Sequence, residues 1–67
     1  MCDIGKLKGK IIENGLNQEK LSRKVGMNRS TLNRRLQDGE TFTIGEVNKI
    51  VEVLNLTKEE AMAIFFV

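Results

Sequence analysis

The strongest constraint on this sequence is a four-residue pattern that occurs twice. Thr43-Ile44-Gly45-Glu46 and Thr57-Lys58-Glu59-Glu60 each place a Thr three residues ahead of a Glu, just before an apolar stripe. In that spacing the Thr hydroxyl accepts from the backbone N–H of the Glu, and the Glu carboxylate reaches back to the backbone N–H of the Thr. Both donors belong to a helix start that otherwise leaves them orphaned. Phe42, just before the first cap, is placed to staple onto Val47. Val47, Ile50, Val51 and Leu54 then fill one helical face, and Asn55 is a candidate left-handed stop. The second cap is followed by Ala61, Ile64 and Phe65.

Three further helices are read upstream. The first runs from about Asp3 to Asn14, with Ile4, Leu7 and Ile11 at helical spacing and Ile12 on the shoulder of the stripe. Gly15 suits a left-handed helix end, and Leu16 can fold back on the last turn. The second opens at Asn17, shows Leu21 and Val25 four apart, and ends at Gly26. The third opens at Asn28, shows Leu32 and Leu36 four apart, and stops at Asp38-Gly39. Strand alternation is absent and so is Pro. The expected fold is all-α, five helices in a single domain over residues 1–67.

Composition removes several function classes. The chain has 67 residues, no His and one Cys, so it lacks the donors for a tetrahedral zinc site and a His base for a nucleophile. An enzyme is not expected, nor are a cofactor or a small-molecule substrate. Cys2 alone cannot close an intramolecular disulfide, which fits a reducing, cytoplasmic setting and an inert or frayed thiol. No apolar run approaches the roughly 18 residues of a membrane span. Gly5-Lys6-Leu7-Lys8-Gly9-Lys10 resembles a phosphate loop only superficially; the spacing is one residue short and no strand precedes it.

Charge is unevenly placed. Residues 18–37 carry Lys20, Arg23, Lys24, Arg29, Arg34 and Arg35 against Glu19, a net of +5 in a chain of net +2. Such a one-sided basic block is the footprint of a polyanion binder, although a solvated helix face gives the same signal. Lys20 and Arg23 read better as solvated face.

The connection between the second and third helices is short and built on Gly26, with Met27 and the cap Asn28. Two short helices joined by a tight Gly turn form a helix-turn-helix candidate. Leu21, Val25, Met27 and Leu32 are apolar where the two helices must share a core, and Ser22 is small where they must approach. With Leu32 and Leu36 inward, the wheel turns Arg29, Ser30, Asn33, Arg34 and Gln37 outward. None of residues 28–37 is acidic.

The stretch Asn17-Gln18-Glu19-Lys20-Leu21-Ser22-Arg23-Lys24-Val25-Gly26-Met27-Asn28-Arg29-Ser30-Thr31-Leu32 resembles the helix-turn-helix of the Cro and lambda-type repressor (XRE) family. The five-helix layout is similar over nearly the whole chain. Phe42-Thr43-Ile44-Gly45-Glu46 with Leu54-Asn55-Leu56 looks like the fourth helix of small regulators from Gram-positive phages and prophages. Ser22 replaces the usual Ala. Arg35 stands where many members are apolar, with Leu36 taking that role. Glu40 stands where many relatives carry a basic phosphate contact.

The resemblance implies a lambda-repressor-like domain whose third helix lies in the major groove of operator DNA. Base contacts then fall to Arg29, Ser30, Asn33 and Arg34; a guanidinium fork matches guanine O6 and N7, and Asn matches adenine. Phosphate contacts fall to Asn17 and Gln18 at a helix N-terminus, and to Lys24, Thr31, Arg35, Thr41 and Thr43. Arg35 reads equally as a solvated side chain.

A single small module binds DNA poorly, so a homodimer on a two-fold site is expected. Ala61 to Val67 is an unbroken apolar run, more than one helix face can bury. Ile64 and Phe65 are expected to complete the fold, and Met62, Phe66 and Val67 to remain outside. The expected dimer surface is Met62, Phe65, Phe66 and Val67. With no separate oligomerisation or self-cleavage module, a short Cro-like regulator is expected rather than a full repressor. The alternative is a modulator that keeps the helix-turn-helix fold but docks onto a second phage repressor or a host protein.

Overall fold

A computed structural model describes residues 2–38 and 42–66. Five helices follow one another: α1 (Ile4–Glu13), α2 (Gln18–Val25), α3 (Arg29–Asp38), α4 (Ile44–Leu54) and α5 (Lys58–Phe65). Residues 39 and 40, and the phosphate candidate Thr41, lie outside the described residues, as does Val67.

Local chemistry sets nearly every boundary. Asp3 caps α1 by accepting from the Lys6 N–H, and Asn17 caps α2 by accepting from the Lys20 N–H. Asn28 starts α3: its Oδ1 accepts from both the N–H and the hydroxyl of Ser30, at 2.9 and 2.6 Å. Both capping boxes form, Thr43 with Glu46 and Thr57 with Glu60. Three helices end on a left-handed residue. Gly15 (φ 71°) follows α1 and the Leu16 N–H bonds to the Ile11 carbonyl. Gly26 (φ 72°) follows α2 and Met27 bonds to Ser22. Asn55 (φ 53°) follows α4 and Leu56 bonds to Val51. Each bond runs back to a carbonyl that the helix end leaves open.

The apolar stripes meet in one core, in which Leu7, Leu21, Leu32, Leu36, Ile50 and Ile64 are fully buried. Phe42 and Phe65 close one end edge to face, 5.7 Å between centroids at 84°, a favoured aromatic geometry. Helix α2 packs closely on α3 and α4, and α1 on α5. Ser22 is buried, its hydroxyl bonded to the Glu19 carbonyl, so α3 can come close to α2. Ile12 departs from expectation: it is 74% exposed. One position beyond Ile11, it is turned about 100° around α1, past the narrow stripe that four other short helices can cover.

Two links tie the chain's start to its end. The Asp3 N–H donates to the Ile64 carbonyl at 2.6 Å. Lys10 bridges Glu60 and Glu13, joining α1 to the cap of α5. The hydrogen bond from Lys10 holds the Glu60 carboxyl below the usual carboxylate range, helped by the Thr57 N–H; reciprocally, Glu60 raises the Lys10 amine. No helix among the described residues is long and apolar enough to cross a membrane.

Candidate nucleic-acid interface

Helix α3 stands on α2 through Leu32 and Leu36, which are 0% and 2% exposed. This fixes its roll. Ser30, Arg34 and Gln37, spaced four and three apart, form the exposed crest opposite those leucines. Arg29 and Asn33 lie on the flank toward the start of α2, where they share an open cleft of about 490 Å³ with Gln18, Asn28 and Ser30. Thr31 lies on the other flank, in a cleft with Asn28, Thr43, Gly45, Glu46 and Lys49. The outward set read from the sequence is thus resolved into a crest and one flank, with Thr31 on the opposite flank.

The side chains differ in what they can still offer. Arg29 is 70% exposed and stands 3.8 Å from Oε1 of Glu19, whose other oxygen, Oε2, lies 3.5 Å from Arg23. Pairs this exposed contribute at most about 1 kcal/mol, so Glu19 orients Arg29 without holding it. Arg34 is exposed on the crest. Ser30 spends its hydroxyl proton on Asn28, so in this arrangement it presents lone pairs and accepts; adenine N6 and cytosine N4 are the matching donors. Asn33 is half-buried beside Arg29.

Among the phosphate candidates, Asn17 uses its side-chain oxygen on the Lys20 N–H at 2.8 Å. That cap leaves the N–H groups of Gln18 and Glu19 at the mouth of α2 unclaimed by the helix. Gln18 is half-buried in the cleft with Arg29 and Asn33. Lys24 is exposed on α2 and lines neither cleft. Thr43 is exposed, with its Oγ1 accepting from the Glu46 N–H at 3.2 Å.

Arg35 corrects both readings made of it. Its guanidinium lies against Glu46 at the start of α4: NH2 donates to Oε2 at 3.2 Å, and Nε stands 3.0 Å from Oε1, too bent for a hydrogen bond. The two side chains are 17% and 18% exposed, and the guanidinium sits 6.0 Å from the Phe42 ring centroid. It is therefore neither solvated nor turned toward a phosphate. The reason is the roll of α3: with Leu36 inward, the preceding position faces α4.

Phe65 is also corrected. At 7% exposed and packed on Phe42 it belongs to the core, not to an exposed interface. Phe66 (70%) and Met62 (54%) remain outside. Ile44, 81% exposed, was hidden in the sequence inside the capping box. It rims an apolar groove of about 300 Å³ with Phe66, over Cys2, Phe42, Val47, Asn48 and Phe65. Cys2 is half-buried there, and burial raises its thiol above the ordinary value; the less nucleophilic neutral form is favoured.

Lys49 is the basic residue that sequence reasoning passed over. It stands outside the basic block of residues 18–37, yet it lies one turn beyond Gly45 on the same face of α4, in the cleft with Thr31 and Thr43. The i, i+4 spacing from Gly45 was the available signal.

A search of curated proteins and a search of solved structures each returned no match. A family model described as Helix-turn-helix matches residues 7–60, spanning α1 through the cap of α5. The match covers both helices of the motif, the left-handed turn at Gly26 between them and the exposed face of α3. The chain belongs to the XRE-type helix-turn-helix family of DNA-binding transcription regulators.

Proposed function

We propose that the chain acts as a Cro-like regulator that binds a two-fold operator as a homodimer, with α3 in the major groove. The observation that carries this reading is the crest of α3. Ser30, Arg34 and Gln37 are exposed on one face of a helix that has no acidic residue before Asp38. Arg34 suits the acceptor edge of guanine, and Ser30 the amino group of adenine or cytosine. Arg29 and Asn33 extend the contact on the α2 side. Gln18 and the open N–H groups of α2 hold one backbone phosphate, since a helix N-terminus attracts anions. Thr31, Thr43 and Lys49 hold another on the α4 side. Lys24 adds charge at longer range.

Dimerisation is supported by size and by surface. The longest extent of the fold is 27 Å, short of the roughly 34 Å between half-sites one helical turn apart. Reading both therefore takes two copies. Met62 and Phe66 are the exposed large apolar side chains among the described residues of the C-terminal region, and the Ile44 groove adjoins Phe66; Val67 is proposed with them. The same apolar groove favours the second reading, a modulator that docks onto another repressor.

Selection from random duplexes separates the two. The regulator recovers an enriched, two-fold symmetric sequence; a modulator recovers none. The family is one of DNA-binding regulators, and no catalysed reaction, cofactor or small-molecule substrate is proposed.

A further inference from the structure

We propose that Arg35 and Glu46 are positioning residues for DNA recognition: their pair locks α3 to the start of α4 and so sets the angle at which the crest meets the bases. The proposal rests on the DNA-binding reading above. Helix α3 packs closely on α2, but α3 and α4 are not closely packed. The Arg35–Glu46 pair spans that gap, with Nε 3.0 Å from Oε1 and NH2 3.2 Å from Oε2, both side chains largely buried. One hydrogen bond from NH2 and the close ionic contact of Nε, both in a largely buried setting, hold the two side chains together. Phe42 lies under the same guanidinium.

Glu46 has a second task. Its Oε1 also accepts from the Thr43 N–H at 2.9 Å, closing the capping box of α4. One carboxylate therefore couples the start of α4 to the last turns of α3. It also lines the cleft of Thr31, Thr43 and Lys49. Arg35 thus acts on DNA through Glu46 and α3, not by touching a phosphate.

Salt dependence and specificity distinguish these roles. Losing a phosphate ligand lowers the slope of log affinity against log salt by about one. Losing a positioning pair leaves the slope but narrows the gap between the right sequence and a wrong one. The experiment compares the unaltered chain, Arg35→Leu, Glu46→Gln and the double variant on the duplex recovered by selection and on a scrambled duplex of equal length. Each single variant is expected to lower the ratio of the two affinities by about tenfold. The double variant lowers it no further, and the salt slopes coincide. Glu46→Gln retains an acceptor for the capping box, so it decides the matter alone if Arg35→Leu does not fold. A slope reduced by one in Arg35→Leu, an unchanged ratio in Glu46→Gln, or additive losses overturn the proposal. No sequence preference in the unaltered chain overturns it together with the DNA-binding reading, whereas preference in that chain with unchanged variants overturns it alone.

Discussion

Two glycines of this chain carry opposite expectations, and the backbone decides which. Gly26 sits at φ 72° in the turn between α2 and α3, with nothing within 4 Å of where a Cβ would stand. Gly26→Ala therefore meets no clash; its cost is the left-handed backbone alone, about 1–2 kcal/mol. Gly9 lies inside α1, also with open space around a Cβ. There Ala gains helix propensity, about 0.5–1 kcal/mol. In a domain this small, each kcal/mol moves the melting temperature by about 4–8 °C. Thermal unfolding should show Gly26→Ala melting lower and Gly9→Ala melting higher than the unaltered chain. Shifts of the same sign contradict this account of the two positions.

Each element reports its own ends. Thr43→Ala and Thr57→Ala each remove a cap, at about 1 kcal/mol apiece; denaturant midpoints check both. The pH dependence belongs to the joint of α1 and α5. Glu60 has a folded value below its ordinary 4.5, so its contribution is present above about pH 5 and is lost as pH falls through the lowered value. Lys10 has a folded value above its ordinary 10.5, so its contribution is complete below that and fades only as pH rises through the raised value. Acid is the accessible limb. Glu60→Gln, which keeps the capping box, should flatten the loss of stability as pH falls below about 5; parallel curves contradict the bridge.

Caps and stops were legible in the sequence because each is decided within about six residues, as at Asn17, Gly26 and Thr57. The face of α3 was legible for the same reason, from Leu32 and Leu36. What was not legible joins distant positions. Arg35 and Glu46 are eleven apart, and nothing in helical periodicity says that one faces the other. Lys10 and Glu60 meet only because α1 lies on α5. Phe65 was expected both to complete the fold and to join the dimer surface; packing against Phe42 keeps only the first. Ile44 hid inside a motif that already had an explanation.

At the scale of the whole molecule, the basic block and the apolar C-terminal region make different demands. If Phe66 seats a second copy, Phe66→Asp should leave the helical content intact, shift sedimentation toward the monomer, and weaken binding to a two-site duplex more than to a half-site. Unchanged sedimentation removes the proposed interface. Affinity for the selected duplex should also fall steeply with salt, by about a thousandfold or more between 50 and 200 mM if six or more phosphates are neutralised.

The most direct test of the central claim, that the crest of α3 reads base edges, is duplex selection run in parallel on the unaltered chain and on Arg34→Ala. The account predicts a two-fold symmetric preferred sequence for both, with preference lost in the variant at one position of each half-site, a change of about 1–3 kcal/mol there. Identical preferences for the two proteins, or a uniform weakening at all positions, would contradict it.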